Sequence, residues 1–564
     1  MVDKILGYFA KIVKERGIMG ATFRNRDRFC AGLAAVCAAV LPAAAQAQDA
    51  NDRIEAIERQ IRTLSGELQR LKGELGEAKR QLRQSQNQAE RDREEARQAR
   101  EAAAQARQDA AKAATADPRA PQTAPQAQAA APSAAAASAP AGPGFAGFKV
   151  GMPEGRPTIA SADGRMSFAI GGLWQIDMGG YFQSPYPNTQ FPQLTSPGVN
   201  LRRGRLYFVA KYDDWRVNVT PDFGDNPEGN PTLYEANINY TGIKPLTLTV
   251  GYTHPFVSLE DATFPGNLLF LERPSIVFIE RSVAAGIQRF ALGGYAATED
   301  YFASAYLTGP LFGAQQTTLQ NSEQLAFVGR VAARPYHDQD WNLHVEASGQ
   351  HVFHPNVNAA GEPGVSRSTL SFGDEPELRI SFDQLVSTGA VSASTANVYG
   401  GGFGANWRNF LIQGEYYQIG VNQLKLPQVP TPMLTFDGGY VEGSVVLTGE
   451  AHPYDIDRHA WARPKPDHPF SLAEGGIGAL EIAARYSTVD LDSNVVPGVP
   501  QSVTGGIYGG RQNIAAVALD WYPNDWIRFI LQFQYVDVNK LDPAGKIQIG
   551  QKFETLALRA QAAW

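Results

Sequence analysis

In the stretch LRRGRLYFVAK the alternate residues Arg203, Arg205 and Lys211 share one face of an extended strand, and Leu206, Phe208 and Ala210 share the other. Guanidinium forks match the paired oxygens of carboxylates and phosphates and keep their charge at any physiological pH. Such residues on a common face hold oxyanions; they do not break bonds. The same alternation adds Arg216, Arg330, Arg485, Arg528 and Arg559 to that face. It also adds Glu346, Glu415 and Glu481, so both signs of charge are present there. A second ionic group, Glu260, Asp261, Glu272, Arg273, Glu280 and Arg281, lies in the stretch 255–282, which does not alternate. It is interleaved with Phe256, Phe264, Leu268, Leu269, Phe270 and Phe278. Left in water, each of those would forgo roughly 1.5–3 kcal/mol of burial, so this stretch is expected to pack inward against the rest of the fold.

Catalytic chemistry finds little support. The segment AHPYDIDRHAWARPKPDHP places His452, His459 and His468 near Asp455, Asp457 and Asp467, a set that could bind a metal or form a base–carboxylate pair. Its prolines and its lack of helical or strand register read instead as a solvated turn. GGIG at 475–478 is too short for a phosphate cradle and precedes a strand, not a helix. No Ser–His spacing suggests a hydrolase. No catalytic residue, metal ligand or cofactor is assigned, and the chain reads as a non-enzyme.

The elements that carry the ionic face are strands. In Leu246–Leu307, two runs of alternating apolar and polar residues bracket the stretch 255–282, with Leu246, Leu248, Val250 and Tyr252 on the apolar side of the first run. The pattern recurs across the last 420 residues, as in Ile527, Phe529, Leu531, Phe533 and Tyr535 against Arg528, Gln532 and Gln534. There is no apolar run of eighteen residues there, so no helix crosses a membrane. Repeated amphipathic strands with one greasy and one wet face imply a closed barrel in a lipid bilayer with a polar lumen. About seventeen segments qualify as strands. A barrel with both ends on the periplasmic side needs an even number, and alternation of short turns with long loops demotes 377–382 to an outer loop, 354–396. The expected fold is therefore an all-β transmembrane barrel of about sixteen antiparallel strands. In it 255–282 is the third outer loop and 450–477 an unusually long periplasmic connection. Leu556, Leu558, Ala560, Ala562 and Trp564 end the chain in an outward-facing apolar row, similar to the insertion signal of bacterial outer-membrane barrels.

What precedes the barrel is of another kind. Residues 1–47 read as a signal peptide, with Arg24, Arg26 and Arg28 before a small-residue apolar run and an A-x-A site at Ala45–Ala47. Met19 is a candidate true start. Both cysteines, Cys30 and Cys37, fall in this segment, so the mature chain is expected to have no thiol. In residues 48–113, Ile54, Ile57, Ile61, Leu64, Leu68, Leu71 and Leu75 keep heptad spacing, and an alanine seam continues it, predicting a helical coiled coil. Residues 114–147 are an Ala/Pro/Gln-rich linker, and 148–564 form the barrel. Over 145–564 there are 28 Lys and Arg against 40 Asp and Glu, so bulk charge does not argue for an anionic ligand. Placement has to.

The segments VNLRRGRLYFVAKYDDW, HPFVSLED with LERPSIVFIERS, GALEIAARYSTVDL and ALDWYPNDWIRF occur in this order and together resemble the phosphate-selective porin O and P family, over about 165–564. Leu480 stands where the family commonly has Trp, and Pro274 interrupts the stretch after Arg273. The resemblance implies a homotrimeric porin with an inward-folded third loop and a basic lumen. On that basis the arginines named above, with Lys211, are expected to line the pore and bind anions, and the ionic groups of 255–282 to form the constriction. The expected function is passive diffusion of small solutes across the bacterial outer membrane, favouring anions such as phosphate. The alternative is a structural tether in which the barrel anchors the periplasmic coil. Expected partners are outer-membrane lipid, two further copies of the chain and, through the coil, peptidoglycan or a periplasmic protein; nucleic acid is not among them.

Overall fold

Thr247, Thr249 and Thr253 turn inward and are buried, whereas Leu248 and Val250 turn outward and remain exposed. That two-residue rhythm is what a pleated strand imposes when one face meets lipid and the other the lumen. The computed structural model describes residues 147–564 apart from 184–193, 195–196, 226–230, 287–288, 313–322, 357–367 and 426–429. The expected signal peptide and coiled coil, and all but the last residue of the linker, lie outside the described residues.

The wall begins with β1 (Met166–Phe182), β2 (Pro197–Tyr212), β3 (Trp215–Asp222), β4 (Thr232–Ile243), β5 (Leu246–Thr253) and β6 (Arg289–Ala297). It continues through β7 (Tyr301–Leu311), β8 (Leu325–Ala333), β9 (Trp341–His354), β10 (Val386–Trp407) and β11 (Phe410–Gln423). It ends with β12 (Leu434–Val446), β13 (Ala479–Ser493), β14 (Ile507–Tyr522), β15 (Ile527–Asn539) and β16 (Lys552–Ala563). Each pairs antiparallel with the next, and β16 returns to β1 in a register from Glu554↔Phe182 to Ala563↔Leu173, so the sheet closes as a sixteen-strand barrel. Closure leaves every strand of the wall a hydrogen-bonding neighbour on both sides, the condition for crossing a bilayer with strands.

At one end the connections are short, for example 213–214, 244–245 and 408–409, with the single long exception of 447–478. At the other end the loops are long. Outward aromatic residues ring the short-turn end: Tyr212, Trp215, Trp341, Trp407 and Phe410 are exposed, with Trp341 on Trp407 at 5.8 Å and Trp407 on Phe410 at 5.7 Å. Such a ring is the interfacial girdle of a barrel in lipid.

Three details depart from the sequence pattern. β10 starts at Val386, earlier than the expected 397, because its upper end is extended by pairing with Thr369–Asp374 inside the fifth loop. A hairpin of Phe148–Gly151 and Thr158–Ser161 precedes β1 and pairs with it at Ser167–Ala169. Opposite Gln175 and Ile176, β2 carries a bulge in which Arg203 and Leu201 are paired and Arg202 is the extra residue. Arg202 is thereby turned inward beside Arg203.

Candidate functional site

The third outer loop, 254–288, joins β5 to β6 and turns into the barrel. It contains α1 (Leu259–Ala262), started by Ser258, whose Oγ accepts from the Asp261 N–H at 3.2 Å, and α2 (Ser275–Ala284), started by Pro274. Leu259, Leu268, Leu269, Phe270, Leu271, Ile276, Val277, Ile279 and Val283 are all buried, against inward residues of the wall such as Val352, Val398, Tyr417, Phe436 and Val489. Side chains of the wall and of the fifth loop also clamp the third loop's backbone. The Leu259 N–H donates to Glu346 Oε1 at 2.8 Å and Glu415 Oε1 at 2.9 Å, and the Glu260 N–H to Glu415 Oε2 at 3.0 Å. The Ser275 N–H donates to Glu377 Oε1 at 2.9 Å, and the Ala284 N–H to Gln350 Oε1 at 3.0 Å. A carboxylate at the start of a helical turn satisfies donors that the helix itself leaves unpaired.

Of the expected anion-binding residues, six meet a carboxylate. Arg203 Nη2 lies 3.2 Å from Glu272, Arg205 Nε 2.6 Å from Asp222, Arg330 Nη2 2.6 Å from Glu346 and Arg485 Nη2 2.5 Å from Glu377. Arg528 Nη2 lies 2.9 Å from Asp520 and Arg559 Nε 2.6 Å from Asp177. Glu272 is a hub, taking Arg202 at 2.6 Å and Arg559 at 3.0 Å besides Arg203. Against the cost of burial, those arginines hold its carboxyl well below the usual carboxylate range. Arg205 is further covered by the Tyr234 ring, 3.6 Å from its guanidinium. Within the loop, Asp261 pairs with Arg281 at 3.3 Å and His254 at 2.9 Å, and Arg273 donates to the carbonyls of Glu260 and Thr263. Glu260 and Glu280 accept from the neutral amides of Gln413 and Gln350. The expectation of a lumen lined with arginines available to a passing ion is thus corrected for these six. Their charge is matched from within the protein.

Lys211 and Arg216 differ. They sit directly opposite each other on β2 and β3, and neither has a carboxylate or hydrogen-bond partner among the described residues. Like charges facing each other across a strand pair are unfavourable. The same row continues through Asn239 on β4, whose Oδ1 accepts from Thr249 Oγ1 of β5 at 2.7 Å. Among the described residues β3, β4 and β5 send no hydrogen bond to the third loop. Their inward faces carry Asn218, Glu235, Asn237 and Thr247, all small or polar.

The periplasmic connection 447–478 is not the solvated turn expected from its prolines. His452, His459, Ala460 and Trp461 are buried inside the barrel's lower end. His452 Nε2 lies 2.7 Å from Glu481 Oε1, and Arg330 donates to the carbonyls of Arg458 and His459 at 2.7 and 2.9 Å. Burial, with Arg330 nearby, brings the His459 imidazole down to about 4. Arg458 reaches the third loop, donating to the Ala262 carbonyl at 3.1 Å and lying over the Phe256 ring at 4.7 Å. Two inserted segments therefore meet within the lumen, one from each end. The signal that could have revealed the second is its content of Tyr, His and Trp in a stretch far longer than any neighbouring turn.

A family model described as "Phosphate-selective porin O and P" matches residues 168–564. An uncharacterized protein of Caulobacter vibrioides is 26% identical over 398 residues, covering 69% of this chain and 72% of that one. Among solved structures, OmpT of Vibrio cholerae is similar with a TM-score of 0.43 and 10% identity, over 71% of this chain and 98% of that one. An anion-selective porin from Comamonas acidovorans is similar with a TM-score of 0.42 and 9% identity, over 71% of this chain and all of that one.

Proposed function

The chain belongs to the phosphate-selective porin O and P family; it is an outer-membrane channel, and on that premise we propose that its aqueous path favours anions, phosphate among them. The observation that carries this reading is the Lys211–Arg216 pair, two basic residues held opposite each other with no carboxylate partner among the described residues. The path runs along β3–β5, where Asn and Thr side chains take the place of the loop's apolar packing. Glu235 on the same face tempers the preference, which is weak to moderate. The paired arginines serve chiefly to hold the third loop in place, through Glu272 and the carbonyl of Leu271, to which Arg559 donates.

The same proposal covers the arrangement of the chain. The molecule is a homotrimer whose residues 48–113 form a coiled coil in the periplasm, joined by the linker 114–147 after removal of 1–47. Deleting 49–144 is expected to leave a conducting trimer, because barrel flanks make most of the association. The test is planar-bilayer recording of the full chain and of this variant, with the oligomer sized in mild detergent. Discrete conductance steps from both proteins support the proposal. An electrically silent full chain would favour the tether role, and monomers after deletion would make the coil the trimer clamp.

A further inference from the structure

The second half of the periplasmic connection leaves the lumen and folds against the outside of the barrel. Arg463 closes the lumen side, donating to the carbonyls of Asp525 and Ala563. Beyond it the chain makes a tight hairpin, with Ser471 bridged to Gly476, the Gly475 N–H donating to the Ser471 carbonyl at 2.9 Å, and Gly475 in the left-handed region at φ 75°. The hairpin is fastened to the outward girdle. Phe470 packs edge-on against Trp521 at 5.4 Å, Trp521 stacks on Phe529 at 5.6 Å, and Trp521 Nε1 donates to the Ile477 carbonyl at 2.8 Å. The Phe470 N–H donates to the Pro523 carbonyl at 2.7 Å.

A hairpin held this firmly presents Leu472 at 91% exposure, flanked by Ile477 at 56% and Phe470 at 46%. A fixed turn has no freedom to fold those side chains away, so whatever buries them lies outside the described residues. We infer that this hairpin is a lipid foot: Leu472, with Phe470 and Ile477, enters the headgroup–acyl boundary of the periplasmic leaflet. The reasoning is continuity. Trp521 and Phe529 belong to the outward aromatic ring that marks this depth, and the hairpin extends that ring sideways at the same level. This rests on the outer-membrane reading but not on ion selectivity. It gives the connection two ends in two media, His459 and Trp461 in the lumen and Leu472 in lipid.

The test is spin-label accessibility on the full chain carrying Cys30→Ala and Cys37→Ala, with Leu472→Cys in one protein and Asp467→Cys in another as the aqueous reference. Both are reconstituted in vesicles of palmitoyl-oleoyl phosphatidylethanolamine and phosphatidylglycerol. The label at 472 is expected to collide severalfold more with oxygen, relative to a nickel chelate, than the label at 467. Equal nickel collision at both positions would place the tip in water and overturn the inference. A label at 472 shielded from both reagents, already immobile in detergent, would mean that protein covers the tip and would overturn it equally. Bilayer conductance of each labelled protein verifies that the barrel has assembled.

Discussion

Removing residues 262–278 is expected to raise single-channel conductance severalfold while the barrel still assembles. The excised stretch holds Leu268, Leu269, Phe270, Leu271, Ile276 and Val277, all buried inside the wall, so its loss opens space that no strand can refill. The wall keeps its own pairing, since each strand's partners are neighbouring strands and not the loop. Selectivity should weaken at the same time. The deletion takes out one acid, Glu272, and one base, Arg273, leaving the net charge unchanged. A wider path then lets electrolyte screen the wall, over about 8 Å at physiological ionic strength. Unchanged conductance in a correctly assembled variant would show that the ions pass elsewhere.

Replacing 453–461 with a Gly-Ser linker is expected to raise conductance too, by less than the loop deletion. The segment carries Arg458, His459 and Trp461, which occupy the lower lumen and touch the third loop through the Ala262 carbonyl. Two obstructions met one after the other add as resistances in series. The double variant should therefore conduct more than the product of the two single effects. A linker variant that conducts like the parent chain, alone and combined with the loop deletion, would put this segment outside the path.

Much of the wall was legible in alternation alone, because lipid outside and water inside repeat the same demand at every second residue. Thr247 and Leu248 obey it, and so do Arg528 and Phe529. The loop was legible for a different reason: Phe270 and Leu271 are too apolar to stay outside. What alternation hid is what breaks its period or comes from far along the chain. Arg202 lies on the wrong parity and faces inward only because of the bulge beside Gln175. Neutralisation of Arg203 depends on Glu272, and that of Arg485 on Glu377 in the fifth loop, pairings that no local spacing announces. The segment around His459 has no period at all. Its prolines, read as marks of a solvated turn, instead shape a chain that enters the barrel.

The account rests on the uncompensated Lys211–Arg216 pair of β2 and β3, and the zero-current potential of the full chain in a potassium chloride gradient tests it most directly. Potassium and chloride have nearly equal mobilities in water, so the sign of that potential reports the protein and not the salt. The expected sign is that of chloride preference, modest in size, and reduced in Lys211→Gln with Arg216→Gln. A potential of the sign for potassium preference in the unaltered chain would contradict the account.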